Sequence, residues 1–155
     1  MKKILAILAT AAVMVSCNKS SQGCKNVDPK DEAAQLQAYA TQNGFTVTAH
    51  SSGIYYQVIT QGTGATPNVN SKVYVTYTGK RLDGTVFDSL TDPSKSGWAL
   101  GGLIEGWKIG IPLIQKGGHI RLLIPSALAY GCAGAAGAIA SNTPLFFDIN
   151  LIDVQ

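Results

Sequence analysis

From Phe45 onward the sequence is a series of short β-forming runs, each stopped by glycine or proline. Residues 54–60 (Ile-Tyr-Tyr-Gln-Val-Ile-Thr) are rich in β-branched and aromatic residues and end at Gly62 and Gly64. Residues 73–78 (Val-Tyr-Val-Thr-Tyr-Thr) alternate with period two and stop at Gly79. Asp83-Gly84 then supplies the signal of a tight hairpin before a shorter run through Thr85-Val86-Phe87. Residues 120–124 stop at Pro125, and residues 145–154 form the last run. Between them, residues 104–111 suit a brief helix bounded by Gly106 and Gly110 and closed by Pro112. Such punctuation fits an antiparallel sheet with one short helix, an α+β domain, and excludes a helical bundle. All 17 glycines lie after Cys17, with no three-residue or seven-residue period.

The first residues read differently. Met1-Lys2-Lys3 precedes an apolar run from Ile4 to Val15, then Ser16 and Cys17. A basic start, a short apolar stretch and a small residue before the cut describe a secretory signal. The run is too short for the roughly 20 residues that span a bilayer as a helix. Met14-Val15-Ser16-Cys17 resembles a bacterial lipobox, so residues 1–16 are expected to be removed and Cys17 lipidated. That places the chain in the cell envelope, lipid-anchored, at the outer membrane on its periplasmic or surface face. Without Lys2 and Lys3, ten basic residues face nine acidic ones. No basic cluster remains to neutralise a nucleic-acid backbone, which argues against a nucleic-acid partner.

Residues 17–28 are expected to be a tether with a reach of about 18 Å over eleven flexible residues. Residues 29–49 are expected to be a helical extension: Pro29 suits a first helical turn, Asp31 and Glu32 its positive end, and Asn43-Gly44 a stop. Residues 50–155 form the main domain. With Cys17 acylated, Cys24 and Cys132 remain. An oxidising periplasm allows a bridge, but their placement in a tether and a Gly/Ala loop does not argue for one. His50 and His119 stand alone, no metal-ligand spacing occurs, and neither a metal nor a cofactor is expected. There is no Gly-x-Ser-x-Gly elbow and no phosphate loop.

What remains is aromatic. Tyr77, Phe87, Trp98, Trp107, Tyr130 and Phe147 lie at strand ends or beside glycines. Tyr77-Thr78-Gly79, Asp83-Gly84 and Phe87-Asp88-Ser89 resemble the "YTG…DG…FDS" signature of FKBP-type peptidyl-prolyl isomerases. Ile104-Glu105-Gly106-Trp107 with Gly110, Ile124-Pro125 with Ala129-Tyr130-Gly131, and residues 145–149 are similar to three further segments of that family, in its order. The resemblance implies a twisted antiparallel half-barrel wrapped around one short helix, with the substrate pocket between them. Trp107 forms its floor, and Tyr77, Phe87, Leu103, Ile104, Tyr130 and Phe147 line it, with Trp98 and Ile139 nearby. Asp88 places a carboxylate in the wall. The Ile104 N–H and the Tyr130 hydroxyl bind substrate carbonyls. The implied activity is rotation of X–Pro bonds in envelope or secreted polypeptides, with macrolides as an inhibitor class. A binding module or chaperone with little turnover is the alternative. The rim departs from the family pattern: residues 131–140 read Gly-Cys-Ala-Gly-Ala-Ala-Gly-Ala-Ile-Ala, with Ala135 where some members carry histidine, and Ser96-Gly97 stands where an aromatic is common.

Overall fold

The structure, a computed structural model, describes residues 23–155. The expected signal and the lipidation site Cys17 lie outside the described residues. Chain order is α1 (Ala33–Gln42), β1 (Thr48–Ala49), β2 (Tyr55–Thr60), β3 (Lys72–Arg81), β4 (Val86–Leu90), β5 (Trp98–Ala99), α2 (Glu105–Gly110), β6 (His119–Ile124) and β7 (Leu145–Val154). The seven strands make one antiparallel sheet in the order β1-β2-β6-β7-β3-β4, with β5 on β3. This is the expected α+β half-barrel. The two-residue strands β1 and β5 are too short to show a period in the sequence.

Alternation gives the sheet two unlike faces. The inner face carries Val73 and Val75 of β3, Ile120, Leu122 and Ile124 of β6, and Leu145, Phe147, Ile149 and Leu151 of β7, all buried. Helix α2 lies against it. Its approach depends on two missing side chains: a Cβ on Gly106 would collide with the Ile124 side chain, and one on Gly110 with Leu122. The outer face is covered at one end by α1, whose Leu36, Tyr39 and Ala40 bury against Leu123 and Phe146. Phe45 stacks on Phe146 at 5.4 Å, and the Arg121 guanidinium lies 4.5 Å over the Phe45 ring.

Five expectations change here. Helix α1 starts at Ala33, four residues after Pro29, because residues 29–32 form a turn. The Asp28 carboxylate accepts the Lys30 N–H at 2.9 Å within it. Glu32, expected to favour the helix N-terminus, instead sends Oε2 to the Ser126 N–H at 2.7 Å. His119 is not alone: its Nε2 meets Asp148, which also accepts from Arg121 Nε at 3.0 Å. This polar cluster sits on the outer sheet face. Cys24 and Cys132 are bonded, with Cα atoms 5.5 Å apart and 108 residues between them in sequence. Residues 24–28 are therefore not a loose linker but run back along the domain. Closing a loop of that length stabilises the fold by about 4–5 kcal/mol on the chain-entropy account.

Candidate functional site

Between α2 and the inner sheet face opens a cleft of about 250 Å³, lined by Tyr77, Asp88, Trp98, Leu103, Ile104, Trp107, Tyr130 and Phe147. Seven segments supply them. Tyr77 continues the inward alternation of Val73 and Val75 on β3, and Phe147 that of Leu145 on β7. Trp107 projects from α2, only 4% exposed. Ile104 caps α2 in extended conformation (φ −59°, ψ 150°), and Tyr130 precedes the 3-10 turn Gly131–Ala133.

The floor is a set of edge-to-face rings. Trp107 meets Tyr77 at 5.0 Å and 87°, and Phe147 at 5.3 Å and 83°. Trp98 meets Tyr77 at 6.3 Å. Such pairs contribute about 0.5–1.5 kcal/mol each beyond their buried area, and they hold ring planes as well as positions. Trp107 Nε1 is buried without a hydrogen-bond partner among the described residues.

Polar groups sit at the rim. The Tyr77 hydroxyl donates to Asp88 Oδ2 at 2.5 Å. Burial first, and the Asp88 carboxylate second, push the Tyr77 phenol well above its ordinary value near 10. The same causes in the same order raise Tyr130. Both phenols are thus neutral donors throughout the physiological range. Asp88 accepts from Tyr77 and still faces the cleft, so the hydrogen bond orients the carboxylate without removing it. The Ile104 N–H finds no acceptor among the described residues, since α2 begins one residue later.

Two residues expected in the pocket lie elsewhere. Phe87 is not among the residues that line the cleft but packs edge-on to one of them, Phe147, at 5.6 Å and 89°. Ile139 is only 6% exposed; it closes the small hairpin Ala135–Ile139 and faces a separate hollow with Arg81 and Ala138. Arg81 Nη1 donates to the Ala138 carbonyl at 3.0 Å, a tie on the rim that sequence reasoning missed. The Cys24–Cys132 bridge is a second such tie; its one sequence signal was that two cysteines remain once Cys17 is set aside.

The arrangement can bind an apolar, ring-sized group over Trp107 while neutral donors meet carbonyl oxygens. The family model described as "FKBP-type peptidyl-prolyl cis-trans isomerase" matches residues 63–152. The chain is similar to the FKBP-type peptidyl-prolyl cis-trans isomerase FkpA of Escherichia coli (strain K12), 40% identical over 141 residues, covering 88% of this chain and 51% of that protein. It is 37% identical to the outer membrane protein MIP of Legionella longbeachae over 123 residues, 79% of this chain and 52% of that one. Among solved structures, a peptidyl-prolyl cis-trans isomerase from Pseudomonas syringae pv. tomato superposes with a TM-score of 0.69 at 32% identity, covering 84% of this chain and 98% of that one. The chain spans about half the length of the curated relatives it matches.

Proposed function

This chain belongs to the FKBP-type peptidyl-prolyl cis-trans isomerase family, and on that premise we propose that it accelerates rotation about X–Pro bonds of polypeptides in the cell envelope. The observation that carries this reading is the apolar floor of edge-to-face rings around Trp107 beneath two neutral donors, Tyr130 Oη and Ile104 N–H.

Rotation makes and breaks no σ bond, so no nucleophile is required. The obstacle is amide resonance, a barrier of about 18–20 kcal/mol that leaves uncatalysed prolyl isomerisation at tens to hundreds of seconds. The planar amide is the more charge-separated form, and an apolar floor disfavours it more than the twisted one. Shape that admits the twisted form better adds to this, which is differential transition-state binding. Tyr130 and Ile104 hold the flanking carbonyls. Asp88, oriented by Tyr77, faces the rotating amide. Each 1.36 kcal/mol of such preference is worth tenfold in rate.

A protease-coupled proline-peptide assay on the full chain tests the reading. Rates above buffer, reduced by Asp88→Ala, support it. Rates equal to buffer would leave the cleft as a binding module, the alternative that the Gly/Ala rim favours. Macrolides that place a ring over Trp107 are expected to compete with the peptide.

The lipobox-like residues 14–17 support anchoring by acyl chains on Cys17. Two or more chains make such anchoring stable. Among the described residues no helix is long and apolar enough to cross a membrane. Cys17→Ser, or globomycin-type inhibition, is expected to release the protein from the membrane fraction; retention would sink the anchor.

A further inference from the structure

The family model ends its match short of the N-terminal residues, at position 63, yet the segment carrying Tyr130 is held largely from there. Residues 24–32 run along residues 125–142. The Glu32 carboxylate, 3% exposed, accepts the Ser126 N–H. Asn26 Oδ1 accepts the Cys132 N–H at 2.8 Å. The Lys25 carbonyl accepts from Asn142 Nδ2 at 3.2 Å, and Cys24 is bonded to Cys132.

These contacts add to the rim's own hydrogen bonds, such as that from the Asn142 N–H to the Gly131 carbonyl at 2.9 Å. The turn Gly131–Ala133 follows Tyr130 directly. The first N–H groups of such a turn have no partner inside it. Cys132 N–H is one of them, and Asn26, 106 residues away in sequence, satisfies it. Gly131 makes the room: its φ is +56°, and a Cβ there would collide with Asn26 Oδ1. The carboxamide thus fills the space of an absent side chain: Asn26 is complementary in shape to Gly131 and in hydrogen bonding to the Cys132 N–H. Gly131, Gly134 and Gly137 all have positive φ. A loop so rich in glycine loses more freedom on ordering than any other, and ties from outside offset that loss. The turn in turn fixes Tyr130, whose carbonyl accepts the Gly134 N–H at 3.0 Å.

We propose that residues 24–32 form a positioning clasp for the cleft, with Asn26 setting the orientation of the turn that places Tyr130. The proposal rests on the isomerase reading above and enlarges the working unit to begin at Cys24. Asn26 is a positioning residue, since it does not line the cleft. The bridge limits how far the segment can drift, whereas the Asn26 hydrogen bond fixes the turn's direction.

The test compares Asn26→Leu, which keeps the branched four-atom shape and removes the acceptor, with Asn26→Asp, which keeps an acceptor. Full chains are assayed for kcat and KM on a proline tetrapeptide, and the Tyr130 amide is followed by ¹⁵N NMR. Asn26→Leu is expected to raise KM by roughly fivefold with kcat held within about twofold, the signature of lost binding common to ground and transition states. The Tyr130 amide shifts with it, and Asn26→Asp returns both towards the native values. An unchanged KM and Tyr130 amide in Asn26→Leu would overturn the clasp, as would failure of Asn26→Asp to rescue. A double variant, Cys24→Ser with Cys132→Ser, is expected to add to the Asn26→Leu shift; if it does not fold, the Asn26 pair decides alone. If the native chain turns over no proline peptide, the isomerase reading fails, and the Tyr130 amide still decides the clasp.

Discussion

Trp107 and Tyr130 face the same cleft from opposite surroundings. Trp107 is 4% exposed, while Tyr130 is 38% exposed and stands on a loop with three positive-φ glycines. The floor is fixed by neighbours that belong to the core anyway: Tyr77, Phe147, and a helix seated by Gly106 and Gly110. The rim is fixed by single ties from elsewhere, namely Cys24, Asn26 and Arg81. Close packing makes an arrangement robust because many contacts must fail together. A loop held by a few hydrogen bonds and one bridge can be released one tie at a time.

The contrast can be broken most severely at the floor. Trp107→Ala is expected to cost about 3–5 kcal/mol of stability, as large aromatic truncations in cores do, and to abolish turnover. Urea unfolding and the proline-peptide assay read both effects. Next, Gly106→Ala forces a methyl into Ile124 and is expected to cost about 1–3 kcal/mol by overpacking. A paired Ile124→Ala change should recover part of that loss, which a double-mutant cycle measures. At the rim, Arg81→Ala removes one partly buried donor to the Ala138 carbonyl and is expected to cost only about 1 kcal/mol. Its visible effect is faster proteolytic nicking between residues 134 and 140, with the floor's near-ultraviolet circular dichroism unchanged.

The smallest effect concerns pH. Burial and Asp88 raise the Tyr77 phenol in the folded state, while the unfolded chain releases that proton near the ordinary value of about 10. Above that pH the folded state binds more protons than the unfolded one, so stability falls as pH rises. Below it the contribution is fully present. Tyr77→Phe is therefore expected to flatten the alkaline loss seen by unfolding from about pH 10 upward. An equally steep loss in the variant would assign it to other groups.

The floor was legible through the family resemblance that the segments around Tyr77, Trp107 and Phe147 carry, since no local signal alone separates a pocket ring from a core ring. Tyr77 sits in an alternating run, Trp107 between two glycines, and Phe147 in the last β-forming stretch. Strand identity followed from alternation and β-forming composition, and the short helix from Gly106, Gly110 and Pro112. The rim was not legible, because its order comes from partners about a hundred residues away. Asn26 lies in a polar run with the composition of a linker, and nothing local marks its carboxamide as a cap for Cys132. Ile139 could be recognised as apolar, but whether it faced the cleft or the core depended on the twist of a glycine hairpin. Pro29 marked a helix start that the structure places at Ala33, because residues 29–32 form a turn.

Strand β7 lies in the middle of the sheet, paired on one side with β6 and on the other with β3. It is also the last element in chain order. Neither neighbour can complete its ladder until residues 145–154 are present, so on a ribosome or during translocation the sheet waits for the end of this segment. Its partners are distant in sequence, as when Val73 pairs with Val154. Sheets dominated by such long-range pairings fold in milliseconds to seconds, slower than local helical folds. Until then the apolar inner face is open to other chains. This gives the fold a folding problem of its own, set by topology rather than by its prolines.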